Sequence, residues 1–141
     1  MNIKDKHKRA HMRAAHVYAK CSTAKRLNVG ALIVKNDRII SIGYNGMPSG
    51  WNNVCEDENN KSRTEVLHAE SNAIAKLAKS SESGDGSAIF ITHSPCLNCA
   101  KMIYQSGITQ VYYSQEYRST EGVDFLNKCN ITVEQLTVED I

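Results

Sequence analysis

Two short segments of this sequence carry residue types suited to chemistry: His68-Ala69-Glu70 and Pro95-Cys96-Leu97-Asn98-Cys99. Cysteines three apart on a first helical turn point to one side, as two ligands of one ion must. Pro95 fits the opening position of a helix, where its missing N–H costs nothing. The positive end of that helix also favours ionised thiols. His68 and Glu70 pose a different problem, because residues two apart lie on nearly opposite sides of a helix body. Both reach one site only if the site caps the helix end. The spacing therefore predicts two helix N-termini facing one another across a metal ion.

One His and two Cys are the ligand count of a catalytic Zn2+ whose fourth position stays open. A closed structural site would draw a fourth donor from Cys21, Cys55, His93 or Cys129. A lone CxxC serves either reading. HxE followed by PCxxC, with no second CxxC, favours catalysis over a zinc that only folds a binding module.

Residues 5–22 place Ala10, Ala14, Val17, Tyr18 and Cys21 on a helical stripe. VGALIV (29–34) and IISI (39–42) are short β-rich runs, and residues 35–38 between them read as a hairpin turn. From Asn45 to Lys61 the chain is polar and rich in Asn and Gly, a length of irregular chain that is often functional. A helix is expected from about Arg63 to Lys79, with Val66, Ala73, Ile74, Leu77 and Ala78 inward. SSESGDGS follows as a surface loop. Then come a strand at 89–92, a helix at 95–105, a strand at 110–113, a helix near 120–128 and a strand around 130–136. The order αββαβαβαβ argues for a three-layer α/β/α fold, one five-stranded mixed sheet with helices on both faces.

The chain has 141 residues, a length that suits a single domain over 1–141. Hydrophobic residues at 41% and charged residues at 23% exclude a disordered or collagen-like chain. No apolar run approaches the roughly 18 residues that span a bilayer. The basic N-terminus lacks the apolar core of a secretory signal, so a cytoplasmic protein with thiols rather than disulfides is expected. Net charge is only +2, although eight Lys and Arg crowd the first 26 residues. Such an end suits an anionic ligand, or it is simply a solvated helix face. Two Phe and one Trp offer no stacking groove for a nucleic-acid strand.

HAE followed by PCLNCA is the zinc signature of the cytidine deaminase superfamily. More narrowly, VGALIV, GYNGMPSG, HAESNAI and SPCLNCAKMIYQSGI occur in the order and wording of deoxycytidylate (dCMP) deaminases, which the chain resembles over about residues 8–135. GYNGMPSG is the more specific element. The resemblance implies a cytidine-deaminase-like fold and hydrolysis of dCMP to dUMP and ammonia, supplying thymidylate synthesis without an organic cofactor. His68, Cys96 and Cys99 would hold Zn2+. Glu70 would take a proton from the attacking water, pass it to N3 of cytosine, and help protonate the departing ammonia.

By the same likeness Asn45 would hydrogen-bond the deoxyribose and the Ala69 backbone the base carbonyl. Arg26 is the candidate phosphate ligand, set against an ordinary surface charge; Tyr117 is a substrate contact or plain packing. Many dCMP deaminases respond to dCTP and dTTP, bound with Mg2+ near the segment matched here by Gly43, Tyr44, Asn45 and Gly46. For that segment a tight turn needing two permissive glycines is the alternative. A homohexamer is the assembly expected from the likeness. Other readings are a bifunctional dCMP/dCTP deaminase or a deaminase of tRNA adenosine or cytidine. A second, structural zinc of some relatives is not expected: residues 56–67 hold no His and Ala24 stands where several relatives have Cys. Cys21 and Cys55 then read as plain thiols and Cys129 as a small core residue. His7, His11 and His16 read as part of the basic helix face, and His93 as a supporting residue.

Overall fold

The computed structural model describes residues 2–137. Its elements are α1 (Asp5–Ala19), β1 (Gly30–Lys35), β2 (Arg38–Tyr44), α2 (Ala69–Ala78), β3 (Ala88–His93), α3 (Leu97–Gln105), β4 (Gln110–Gln115), α4 (Glu121–Lys128) and β5 (Thr132–Gln135). The order and number match the expectation from the sequence. The central strands β1 and β3 are near-continuous apolar runs because both of their faces are covered. Asn36 and Asp37 both take positive φ (52° and 60°), the two-residue turn whose twist suits a hairpin, and it joins β1 to β2.

The sheet order is β2-β1-β3-β4-β5. β1 runs antiparallel to β2 and β3, while β3, β4 and β5 are parallel. Helices α2, α3 and α4 cover one face, packing Ala73, Ile103 and Leu126 over Ile33, Ile89, Ile91 and Val111. Helix α1 covers the other through Met12 and Ala15 on Leu32, Phe90 and Tyr112. This arrangement brings the C-terminal ends of β2, β3 and β4, and the chain entering β1, to one edge. Ligands of open α/β sheets bind at such carboxyl ends.

Four expectations need correction. Helix α2 begins at Ala69, not near Arg63: Leu67 is in an antiparallel bridge with Gly46, and His68 is extended (φ −73°, ψ 157°). Val66 therefore precedes the helix and Ala78 is exposed. The buried stripe of α1 is Met12, Ala15 and Ala19, leaving Ala10 and Val17 exposed; alanines on several faces made the phase ambiguous. His11 and His16 turn inward from the basic face, His11 against the Phe90 ring (centroids 5.1 Å apart) and His16 with a buried Nε2. Pro95 stands one residue ahead of the N-cap, Cys96, rather than at the first helical position. Of the other basic residues of α1, Lys6, Arg9 and Arg13 are exposed, while half-buried Lys8 lies over the Tyr112 ring and pairs with Glu134 at 3.2 Å. Among the described residues no helix is long and apolar enough to cross a membrane.

Candidate active site

The N-termini of α2 and α3 meet at the sheet edge. His68 caps α2 and Cys96 caps α3, each passing its carbonyl to the first turn: Asn72 N–H donates to His68 O and Ala100 N–H to Cys96 O, both at 2.9 Å. The requirement set by the HxE spacing is met, since the site lies at the helix end with Glu70 in the first turn. Two glycines allow the close approach. A Cβ on Gly43 of β2 would stand 2.3 Å from Ala69 O of α2, and one on Gly122 of α4 would stand 2.1 Å from Pro95 O. Only hydrogen at these positions lets the flanking elements press both helix starts into place.

His68 Nδ1 lies 3.6 Å from Cys96 Sγ and 3.3 Å from Cys99 Sγ, and the three donor atoms fall within 4.8 Å of one another. Zn–N and Zn–S bonds of about 2.1 and 2.3 Å at a tetrahedral angle place N and S roughly 3.6 Å apart, so the donor set fits Zn2+. Among the described residues this three-donor cluster includes none of Cys21, Cys55, His93 and Cys129. Ser71 Oγ lies 3.4 Å from Cys99 Sγ, and the Cys99 N–H donates to Cys96 Sγ at 3.5 Å, so both sulfurs have hydrogen-bonding neighbours. The hydrogen bond with Cys99, reinforced by His68, pushes the Cys96 thiol down to about 3; the bond to Cys96 and burial push Cys99 up. Glu70 is 4% exposed, and burial raises its carboxyl to about 7 despite nearby His68. A carboxyl so placed can both accept and return a proton near neutrality.

His68, Glu70 and Cys96 line a cavity of about 450 Å³. All four residues expected around substrate line it: Arg26, Asn45, Ala69 and Tyr117. Asn45 is also held by the chain entering β1: its Oδ1 accepts the Val29 N–H (2.9 Å) and its Nδ2 donates to Leu27 O (2.8 Å). Tyr117 is anchored by its own N–H, which donates to Ser94 Oγ at 2.7 Å. His93 also lines the cavity, with Nδ1 at 2.9 Å from Thr92 Oγ1.

Three charged lining residues were missed from the sequence, Glu56, Arg63 and Arg118, along with uncharged ones such as Leu27, Ser62 and Thr64. Arg63 and Arg118 are exposed, as is Arg26, so three arginines line the cavity; Arg63 Nε donates to Val54 O at 3.1 Å and the Arg118 guanidinium lies 5.5 Å from the Tyr117 ring centroid. Their nearness in sequence to His68 and Tyr117 was the available signal. Of the segment expected to bind an effector, Tyr44, Asn45 and Gly46 border a second cavity of about 470 Å³, together with Trp51, Lys76 and Lys79. Gly43 is not among its lining residues; it is buried against α2. Neither Gly43 nor Gly46 has positive φ, so the reading of a turn built on permissive glycines is also overturned. Cys55 is buried beside Thr23 Oγ1 (3.5 Å), Cys21 is exposed, and Cys129 caps the end of α4, half-buried.

The layered sheet, the three-donor centre and the buried carboxyl beside it define a zinc-dependent hydrolase. Residues 5–115 match the cytidine and deoxycytidylate deaminase zinc-binding region, and the chain belongs to that family. It is similar to the ComE operon protein 2 of Bacillus subtilis (strain 168), with 37% identity over 135 residues covering 92% of this chain and 71% of that protein. It is also similar to the deoxycytidylate deaminase of Saccharomyces cerevisiae, with 34% identity over 89% of this chain and 43% of that longer protein. The structure of dCMP deaminase from the cyanophage S-TIM5, solved with dCMP and dUMP, superposes with a TM-score of 0.93 at 49% identity, covering 95% of this chain and 99% of that one.

Proposed function

We propose that this chain hydrolyses dCMP to dUMP and ammonia. The observation that carries the reading is one cavity lined by two residues of a zinc donor set, by a buried carboxyl and by three arginines. A volume of about 450 Å³ is in the range of small-molecule sites, and guanidinium groups are the side chains best matched to a phosphate. The likeness to named deoxycytidylate deaminases supports the same substrate.

His68, Cys96 and Cys99 would hold the metal. When bound, Zn2+ supplies Lewis acidity that brings a water towards ionisation near neutral pH. Glu70 would take a proton from the attacking water and deliver it to N3 of the pyrimidine. A C4–O bond forms; Glu70 then takes the remaining proton from the new C4 hydroxyl and gives it to the amine, the C4–N bond breaks, and ammonia leaves as C4–O becomes the uracil carbonyl. The N–H of Ala69, first residue of α2, belongs to the helix-start donors that lack an intrahelical acceptor, and it suits the base carbonyl. Asn45 takes the deoxyribose, while Arg26, with Arg63 and Arg118, takes the phosphate over Tyr117.

The test is ammonia release from dCMP, deoxycytidine, dCTP, cytidine and a tRNA, on protein of known zinc content. Preferential turnover of dCMP is expected. Arg26→Ala should raise KM for dCMP far more than for deoxycytidine; equal effects would remove Arg26 from the phosphate site. Consumption of dCTP or tRNA in preference to dCMP would overturn the assignment.

A second reading concerns regulation. The cavity at Tyr44, Asn45 and Gly46 has Lys76 and Lys79 on its wall, and Asn45 borders both cavities. We propose that it takes a nucleoside triphosphate with Mg2+, dCTP raising and dTTP lowering turnover. Rate measurements with each nucleotide, repeated on Lys79→Ala, test this; no response to either nucleotide refutes it. Assembly into a homohexamer, supported by exposed Trp51, Val54, Met102 and Tyr104, is tested by sedimentation.

A further inference from the structure

We propose that Glu56 is a positioning residue for nucleotide recognition, holding the Lys25–Arg26 backbone so that the Arg26 guanidinium stays at the cavity. The inference rests on the phosphate reading above and names the device that presents its ligand. Glu56 is 6% exposed, yet it lies in a polar loop between β2 and α2 with no regular element of its own. Burying a carboxylate is costly unless hydrogen bonds compensate. Its Oε2 accepts two successive main-chain N–H groups from a distant loop, Lys25 at 2.9 Å and Arg26 at 3.2 Å. Successive N–H groups turned to one point form a cradle for an anion, and here a carboxylate of the chain itself fills it.

Both sides of the contact are braced, in part by a further bond between the two loops. Asp57, next to Glu56, folds its loop locally: its Oδ1 accepts the N–H of Asn59 (2.8 Å) and of Lys61 (3.0 Å), and Asn60 takes φ 59°. The loop closes where the Arg63 N–H donates to Cys55 O at 2.8 Å, which also fixes where Arg63 leaves it. On the other side, Thr23 Oγ1 donates to Asn53 O at 2.6 Å, and Asn28 Nδ2 donates to Ala24 O at 2.8 Å. Glu56 thus ties two loops that each contribute an arginine to one cavity, and among the bonds between them it is the one made to the Arg26 backbone itself. Arg26 itself is exposed, so its backbone rather than its side-chain packing must set its position.

The proposal makes a prediction of definite sign. A carboxylate lining a phosphate site repels the ligand through space, so its removal by charge alone would tighten binding of dCMP. Loss of positioning does the reverse. Steady-state kinetics on zinc-loaded Glu56→Ala, Glu56→Gln, Arg26→Ala and the double variant Arg26→Ala/Glu56→Ala, with dCMP and deoxycytidine, separate the two. Glu56→Ala should raise KM for dCMP about tenfold, the scale of losing hydrogen bonds to a charged acceptor, with a much smaller change in kcat. Glu56→Gln keeps an acceptor oxygen of the same reach and should restore KM to within about threefold of the parent. In the Arg26→Ala background Glu56→Ala should add less than about twofold.

Lower KM for dCMP in Glu56→Ala, failure of Gln to restore it, or additive losses in the double variant would each overturn the positioning role. Equal losses on dCMP and deoxycytidine would do so too, marking general damage to the fold. If Arg26→Ala keeps full preference for dCMP, the phosphate reading at Arg26 fails and this inference falls with it. If Arg26→Ala loses that preference and Glu56→Ala keeps it, only this inference fails.

Discussion

Gly122→Ala tests whether packing of α4 sets the metal site. The new Cβ would lie 2.1 Å from Pro95 O and 2.9 Å from Cys96 C, both main-chain atoms that cannot rotate away. Relief requires the α4 start or the Pro95–Cys96 segment to move by about 1 Å to reach an ordinary contact distance. Forced overpacking of this kind costs about 1–3 kcal/mol, which lowers Tm by roughly 3–12 °C for a chain of this size. Cys96 is the N-cap of α3 and a donor of the cluster, so the displacement acts on a zinc ligand directly. Ligand distances in such sites hold within about 0.2 Å, and losing the support of a ligand costs about 10- to 100-fold in affinity.

The assay is zinc competition against a chromophoric chelator beside thermal unfolding, with Gly46→Ala as the control. A Cβ on Gly46 meets nothing within 4 Å, and that variant should match the parent in Tm and zinc affinity. Gly122→Ala with unchanged Tm would refute the close approach itself. Lower Tm with unchanged zinc affinity would refute the coupling of α4 to the site.

Glu70→Gln should keep stoichiometric zinc, because Glu70 is outside the donor cluster, yet lose about 10²- to 10⁴-fold in kcat; normal turnover would remove its proton-transfer role. Removing zinc with a chelator should abolish ammonia release, and stoichiometric Zn2+ should restore it. Because thiolate and neutral imidazole bind metal in competition with protons, zinc affinity should fall as pH falls, read by the same competition assay. Asn45→Ala removes two hydrogen bonds to the Leu27–Val29 backbone and should cost about 1–3 kcal/mol in chemical denaturation as well as raising KM. Arg118→Ala should weaken dCMP more than deoxycytidine; equal effects would place it outside phosphate recognition.

The arrangement of the candidate centre was legible in the sequence because each of its two segments is local. His68 and Glu70 are two apart, Cys96 and Cys99 three apart, and the helix starts that present them obey short-range rules. The sheet was legible for a similar reason, its central strands being unbroken apolar runs. Long-range placement was not. The start of α2 was misjudged because Thr64–Leu67 suits a helix by type, while the pairing of Leu67 with Gly46 is a tertiary contact. Gly43 looked like a turn or ligand residue until α2 was seen lying on it. Glu56, Arg63 and Arg118 reach the cavity only because irregular loops fold back, and no periodicity reports that.

The same division runs through the site. The donor set and Glu70 sit on helix starts braced by backbone contacts at Gly43 and Gly122, where even one methyl group forces a shift. The arginines sit on loops whose positions depend on side-chain ties, Glu56 to Lys25 and Arg26, and Ser94 to Tyr117. On the proposed roles of the arginines and Glu56, a change in a loop tie should alter which nucleotide is held while leaving the hydrolytic centre assembled. A change at the glycines reaches the centre itself. On those proposed roles, substrate selectivity would be separable from hydrolysis, and loss of dCMP preference with zinc content intact is the expected mark of a loop lesion.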